Sequence, residues 1–445
     1  MELKKYRLGD IAEILISSID KKSKDGEPSV RLCNFVDVYR NWAITSNLSQ
    51  RFMVATANVS NIQRFSLKKG YVTFTKDSET RDDIGIPAYI ADDLGDTVLG
   101  YHCALVKPNA DILSGKYLNA FLHSDYIKKY FELNATGSGM RYTLSIETLN
   151  NIPILAPSLE MQEHIGNIFS DIDRKICLNR AINDNLEAMA KQLYDYWFVQ
   201  FDFPNKEGKP YKSSGGAMVW NEKLKREIPS CFEVVNMGKL CDFRNGINYS
   251  KDETGNDYQI VNVRNISSSR ILLDGEDFDV ITVPTSKAEN YVLKPDDIII
   301  ARSGCPGSTR LLLSPANTLF CGFIICCSPN DSSMRNYLVY CLKQLEGTNA
   351  TTSGGSILQN VSQDTLKGLH VIVPEKQIID KFNKTIELTF ARMLNCLKES
   401  KALIKQRDEL LPLLINGQAS VNYHLSVIIR CGTREIIDIS RKQSI

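Results

Sequence analysis

The chain of 445 residues is long enough for two or three domains, and its 43% apolar and 24% charged residues are ordinary for a globular protein. Its 53 basic and 52 acidic residues nearly cancel, so any nucleic-acid surface must be local or shared with a partner. No signal peptide, no membrane span of roughly 18 apolar residues and no CxxC pair among twelve cysteines is found, so we expect a cytoplasmic protein with reduced thiols.

Residues 1–157 are predicted to form a mixed α/β globular domain. Alternating residues predict strands over 69–76 and 97–106, and helical spacing predicts one helix over 118–133. A Gly-containing polar loop over 135–141 follows. An apolar strand over 152–157 then closes the domain at Pro157.

A long helix is predicted over 158–200. Its apolar positions alternate in steps of four and three, which is the heptad seam of a helix packed along another helix. Only Lys175 and Asn179 interrupt the seam, which consists of Met161, Ile165, Ile168, Ile172, Ile182, Leu186, Met189, Leu193 and Tyr196.

The second half repeats the order of the first. After a connector over 201–233, a second globular domain is predicted over 234–374 and a second long helix over 375–418. Within it, Phe320–Cys327 reads as a buried strand. The second seam superposes on the first after a shift of 214 residues, and comprises Ile379, Phe382, Ile386, Thr389, Met393, Cys396, Ser400, Leu403, Arg407, Leu410 and Leu414.

The two helices are expected to pair with each other. Segment 158–200 has seven acidic and four basic residues, whereas 375–418 has six acidic and eight basic residues, so their net charges are opposite. Short turn signals in the connector favour antiparallel pairing with approximate two-fold symmetry over parallel pairing. The alternative is two unrelated amphipathic helices, each packed on its own domain.

No catalytic motif is found in the sequence. The five histidines lack metal-ligand spacing, and the chain has no phosphate-binding P-loop, nucleophile elbow or amino-methyltransferase tetrapeptide. The paired acids Asp82-Asp83, Asp92-Asp93 and Asp296-Asp297 are read as solvated turn residues. We therefore expect neither a catalytic site nor a metal site.

Polar, Gly-containing loops at matching places in both domains are the candidates for DNA contact. Such loops offer backbone N–H and hydroxyl donors to phosphates, and Arg or Lys can reach guanine edges. Singly they are ordinary loops, but their repetition favours a role in binding a two-part duplex target. The candidates are Lys76, Ser78, Arg81, Ser138, Arg141, Tyr142, Arg302, Ser303, Arg310, Ser353, Ser356 and Gln359.

Residues 1 to about 424 resemble the specificity subunits of type I restriction-modification enzymes. The resemblance lies in 196–204 (YWFVQFDFP), 208–220 (GKPYKSSGGAMVW), 227–229, the helix entries 152–162 and 371–377, and the exit 410–418. It implies two target-recognition domains that each read half of a split DNA site, and two paired helices that set the gap. The tail over 425–445 departs from the family pattern, and we assign it no function.

The resemblance further implies partners and chemistry outside this chain. Two modification subunits would dock on it and bring S-adenosylmethionine and adenine methylation, and restriction subunits would bring ATP, Mg²⁺ and cleavage. No cofactor is expected to bind this chain directly. Two rival hypotheses are a coiled-coil scaffold whose globular ends bind other proteins, and an enzyme with an unrecognised active site.

Overall fold

A computed structural model describes residues 2–137, 139–250, 252–268, 270–273, 278–313, 315–346 and 361–418. The chain divides into two compact units, Met1–Leu178 with Ser400–Ile445 and Asn179–Glu399. Each long helix therefore contributes residues to both units. The sequence-based boundaries instead gave every domain and helix its own uninterrupted segment of chain. The tail predicted over 419–445 lies outside the described residues.

The first unit contains fourteen strands among its described residues. The strands are β1 (Lys4–Arg7), β2 (Ala12–Ile16), β3 (Ser29–Cys33), β4 (Ala43–Ile44), β5 (Met53–Thr56), β6 (Ser66–Leu67), β7 (Val72–Thr75), β8 (Asp77–Ser78), β9 (Pro87–Ile90), β10 (Leu94–Leu99), β11 (Cys103–Pro108), β12 (Thr136–Gly137), β13 (Tyr142–Thr143) and β14 (Pro153–Ala156). The helices are α1 (Leu8–Ile11), α2 (Phe35–Tyr39), α3 (Ser46–Ser49), α4 (Val59–Phe65), α5 (Gly115–Leu122), α6 (Asp125–Asn134), α7 (Ile146–Asn150) and the start of α8 (Leu159–Tyr194).

Two larger sheets form the body of the first unit. Their strand orders are β2-β11-β7-β9-β4 and β5-β3-β10-β6. The central strand β7 is buried at every position, as expected for a β-branched and aromatic sequence between packed layers. One core joins the larger sheet to α5 and α6, and it includes Phe169 of α8 and Leu414 near the end of the second long helix.

The second unit repeats these elements. Its strands are β15 (Met218–Asn221), β16 (Arg226–Pro229), β17 (Glu233–Asn236), β18 (Cys241–Asn245), β19 (Asn256–Val261), β20 (Leu272–Leu273), β21 (Asp279–Val283), β22 (Ile298–Ala301), β23 (Thr309–Leu312), β24 (Thr318–Phe320), β25 (Ile324–Pro329) and β26 (His370–Val373). Its helices are α9 (Val263–Ser268), α10 (Thr285–Ala288), α11 (Arg335–Lys343), α12 (Gln363–Gly368) and most of α13 (Lys376–Ile415).

The repeat extends to strand order, caps and single hydrogen bonds. The sheet β18-β25-β22-β23-β20 has the same order and strand directions as β2-β11-β7-β9-β4. Ser145 and Ser362 cap α7 and α12 in the same way, each through its side-chain oxygen. The buried Tyr117 and Tyr337 hydroxyls each donate to a carbonyl of the closing strand at 2.5 Å. The two units are therefore copies of one fold.

The long helices run antiparallel where they meet in the second unit. Asn179 donates to Glu399 at 2.9 Å, Asn183 donates to the Met393 carbonyl at 3.3 Å, and the Tyr194 ring lies 6.3 Å from the Phe382 ring. Residue numbers rise along one helix as they fall along the other. The predicted antiparallel pairing is confirmed for this segment.

The predicted seam of α8 is wrong by one residue over much of its length. Met189 is 63% exposed while its neighbour Ala190 is 2% exposed. Ile176, rather than Lys175, faces the core. The buried positions include Met161, Gln162, Ile165, Phe169, Ile172, Ile176, Asn179, Asn183, Ala190 and Tyr194, and Trp197 and Phe198 are buried just after the end of α8. In α13 the same shift occurs at two places, where the buried Phe390 and Leu411 replace Thr389 and Leu410.

Three predicted elements are each divided in two. The helix predicted over 118–133 is broken between α5 and α6, because Ser124 adopts an extended backbone there. The strand over 97–106 is two strands, and so is the strand over 320–327. The turns that divide them are equivalent, and His102 in the first has φ +72°, which a continuous strand does not allow.

The connector is part of the second unit. Residues 201–233 carry the β15–β16 hairpin and place Phe201, Phe203 and Phe232 in that unit's core.

Burial raises the pKa of the Cys326 thiol in the same unit, as expected for an unreactive core cysteine. No helix in the described ranges is both long enough and apolar enough to cross a membrane.

Candidate nucleic-acid interface

Lys76 and Arg302 occupy the same position in the two units. The backbone N–H of Lys76 donates to the His102 carbonyl at 2.9 Å, and that of Arg302 donates to the Phe323 carbonyl at 2.9 Å. Their carbonyls accept from the N–H groups of Leu144 (2.9 Å) and Val361 (3.0 Å). The predicted correspondence of these two loops is therefore confirmed by matching backbone bonds.

A polar cleft of about 320 Å³ lies beside Lys76 in the first unit. Three remote chain segments meet there because β8 pairs with β13, and β13 pairs with β12. The lining residues are Lys76, Asp77, Tyr101, Thr136, Gly137, Arg141 and Thr143.

Asp77 is the buried anion at the base of this cleft. The Lys76 ammonium donates to its carboxylate at 2.9 Å, and the His102 Nδ1 forms a short hydrogen bond to its other oxygen. Burial alone raises the pKa of Asp77, but hydrogen bonds from Thr143, His102 and Lys76 outweigh that effect and the pKa is lowered. Lys76 is thus half-buried and neutralised, not a free cation.

Replacing Asp77 is expected to destabilise the first unit in a pH-dependent way. Asp77→Asn leaves the Lys76 ammonium without its counter-charge and should cost about 1–3 kcal/mol of unfolding free energy at neutral pH. A carboxyl whose folded pKa is lowered stabilises above its unfolded pKa, near 3.9, and loses that contribution as pH falls through the folded value. The wild-type advantage over the variant should therefore shrink between pH 5 and pH 2.

Chemical denaturation across that pH range measures the effect. Asp82→Asn is the matched control, because Asp82 is an exposed acid in the same loop and should change stability by less than about 0.5 kcal/mol. A difference between wild type and Asp77→Asn that stays constant with pH would contradict the proposed ion pairing.

Most of the first-unit candidates lie together at this edge. Tyr142 is paired with Ser78 across the strands, and the Arg81 guanidinium lies 5.0 Å from the centre of the Tyr142 ring. Arg81 and Arg141 are exposed, so both cations are available to a ligand. Ser138 lies outside the described residues.

The second-unit candidates divide into an exposed group and a buried one. Arg302 is exposed and its guanidinium has no hydrogen bond or ion pair with any residue in the described part of the chain. Arg310, by contrast, is 6% exposed and ion-paired with Glu346 inside the fold. A side chain so enclosed has no access to a DNA groove, so we drop Arg310 as a DNA contact.

Four residues at these sites were not anticipated from the sequence. Asp77 and Tyr101 line the first cleft, His102 is hydrogen-bonded to Asp77, and Phe323 lies at the equivalent turn of the second unit. An aromatic pair just before an apolar strand was the only signal available for Tyr101 and His102. Ser303 is half-buried beside Arg302, whereas Ser353, Ser356 and Gln359 lie outside the described residues.

No group of three or more His, Cys, Asp or Glu side chains in the described ranges is arranged to hold a metal ion. The chemistry of the cleft and of the side chains next to it is that of hydrogen bonding and charge. The cleft contains Arg141, Tyr101 and the neutralised Lys76, and Arg81, Tyr142 and His102 lie next to it. Such a set suits the contact of phosphates and base edges.

Comparison with known proteins gives one consistent result. The family model of the type I restriction modification DNA specificity domain matches residues 1–188 and 229–399. The Type I restriction enzyme HindI specificity subunit of Haemophilus influenzae is 24% identical, over 93% of this chain and 99% of its own length. The MjaIX specificity subunit of Methanocaldococcus jannaschii is 24% identical, over 71% of each chain.

A solved structure shows the same fold. The type I restriction-modification system S subunit from M. genitalium aligns over 93% of this chain and 96% of that chain. The TM-score is 0.52 at 16% sequence identity. The likeness therefore covers both units and both long helices.

Proposed function

The chain belongs to the type I restriction modification DNA specificity family, and we propose that its two units read the two halves of one split DNA site. As a specificity subunit it recognises DNA and leaves catalysis to other subunits. The equivalence of the Lys76 and Arg302 loops carries this proposal. It gives two copies of one fold a polar edge at the same place.

The long helices are proposed to fix the gap between the two half-sites. α8 has 36 residues and α13 has 40, so each extends for about 50–60 Å at 1.5 Å per residue. Each helix contributes residues to both units. A continuous helix resists bending, so its length is suited to set a number of base pairs.

The partners follow from the same role. We propose that two modification subunits and the restriction subunits assemble on this chain, and that S-adenosylmethionine, ATP and Mg²⁺ act on those partners. A repeated fold offers two equivalent docking surfaces for two copies of one subunit. The nearly balanced charge of the chain is consistent with DNA binding to which the partner subunits also contribute. We assign the chain to the cytoplasm because its DNA target is there.

The proposal is tested by sequencing N6-methyladenine. The chain is expressed in a methylation-free host together with the modification subunit encoded beside it. Methylation of one split motif, lost when this chain is omitted, is the expected result. A stable complex that methylates no motif would contradict the proposal and favour the scaffold alternative. A variant that ends at residue 425 tests whether the tail blocks activity.

A further inference from the structure

Each unit has a turn directly before an equivalent strand, β11 in the first unit and β25 in the second. The turn lies next to Lys76 in the first unit and next to Arg302 in the second. The turns are 100–102 in the first unit and 321–323 in the second. Tyr101 and Gly322 are matched by their hydrogen bonds to the Ile19 and Ile247 carbonyls, both formed by the backbone N–H. His102 and Phe323 are matched because their carbonyls accept from Lys76 and Arg302. The side chains at matched positions can therefore be compared one by one.

In the first unit these positions form a fixed hydrogen-bonding group. Asp77 holds the Lys76 ammonium and the His102 Nδ1 at the same carboxylate. A neutral imidazole that donates Nδ1–H to a carboxylate keeps Nε2 as an acceptor on its opposite edge. The centre of the exposed Tyr101 ring lies 3.5 Å from that of the His102 ring, and the two rings are tilted by 55°. With a neutral imidazole, the His102 position offers an acceptor nitrogen, and the adjacent Lys76 is not a free cation.

In the second unit the same positions carry a cation and an apolar ring. Arg302 replaces Lys76, Ser303 replaces Asp77 and Phe323 replaces His102. No acid in the described residues neutralises Arg302, and Phe323 is 63% exposed. A guanidinium and an exposed aromatic ring on two residues joined by a backbone hydrogen bond suit a guanine edge next to a thymine methyl group.

We propose that these matched positions determine what each unit reads, and that they read opposite hydrogen-bonding patterns. Arg302 donates to guanine O6 and N7, and Phe323 contacts the methyl group of an adjacent thymine. His102 Nε2 accepts from the amino group of an adenine or a cytosine, which are the major-groove donors. Asp77 is a positioning residue that orients His102 and Lys76 without touching DNA. This inference rests on the proposed function and specifies its base contacts.

The test compares the methylated motif of variants in the complex with the modification subunit. Arg302→Ala and Phe323→Ala should relax neighbouring positions of one half-site. His102→Asn and Asp77→Asn should relax one position of the other half-site. Loss of the Arg302 contact should reduce discrimination at its guanine roughly 5- to 150-fold. Asn is used at residue 102 because it tolerates the positive φ of that position.

Each variant has a control or a second readout. Val280→Ala removes another 63% exposed apolar side chain from the second unit and should leave the motif unchanged. A merely structural role of Asp77 would lower stability and total methylation but keep the motif. If Asp77→Asn fails to fold, His102→Asn tests the same half-site.

Three results would overturn the inference: uniform loss of methylation with an intact motif, relaxation of the same half-site by all four variants, or no change in any of them. A wild-type chain that directs no split motif would instead overturn the proposed function, so the two failures are distinguishable.

Discussion

Removing one heptad from each long helix is expected to abolish methylation of the wild-type split motif. Asn179 of α8 lies opposite Glu399 of α13. In an antiparallel pair, the seven residues before Asn179 (172–178) therefore lie opposite the seven residues after Glu399 (400–406). Deleting both segments keeps the remaining contacts between the helices in register. Each helix becomes about 10 Å shorter, which equals about three base pairs at 3.4 Å each. Any remaining methylation should fall on sites whose gap is shorter by that number.

The rotation of DNA explains why total methylation should also fall. Three base pairs turn one half-site by roughly 100° about the duplex axis, since a turn has 10 to 10.5 base pairs. The deletion of seven residues rotates the helix ends by only about 20°. Deletion of Ile172–Leu178 alone is the control, because it shifts the pairing register and should lower complex stability. A double deletion that still methylates the wild-type gap would contradict the spacer role.

Phe382→Ala is expected to destabilise the second unit by about 3–5 kcal/mol. Phe382 is fully buried, and its ring contacts Phe198 at 5.0 Å, Trp197 at 5.9 Å and Tyr340 at 6.4 Å between centroids. Truncation leaves a cavity where α13, α11 and the π-helical turn 195–199 that follows α8 meet. The expected loss is large beside the 5–15 kcal/mol that holds a typical domain together.

Leu388→Ala is the matched control for that change. Leu388 lies on the same helix but is 69% exposed, so its truncation should change stability by less than about 0.5 kcal/mol. Denaturant unfolding is followed by tryptophan fluorescence in a Trp42→Phe background, so that the signal comes from Trp197 and Trp220 of the second unit. A loss below about 1 kcal/mol for Phe382→Ala would contradict the packing described here.

The sequence predicted the long helices well but not which side chains they bury. Apolar residues at spacings of three and four occur on two neighbouring faces of the helix. A seam displaced by one residue therefore contains almost as many apolar residues as the buried one. Met189 fits the pattern better than Ala190, yet the small Ala190 is the residue that is buried. The face of α8 that is buried is determined by its packing against the other long helix and against a globular core.

The candidate site was predictable in position and less so in chemistry. The preserved order of elements was enough to match the Lys76 loop with the Arg302 loop. The burial of Arg310 was not visible, because its partner Glu346 lies 36 residues further along the chain. Asp77 likewise resembles a turn acid until the pairing of β8 with β13 brings Thr143 to it.

The central claim is that two units read one split site together, and the binding of the purified complex with the modification subunits tests it most directly. Duplexes carry both half-sites, either half-site alone, or both with the gap changed by one base pair, at one salt concentration. We expect the intact site to bind at least roughly 100-fold more tightly than any altered duplex. Equal affinity for one half-site and for the intact site would contradict the claim.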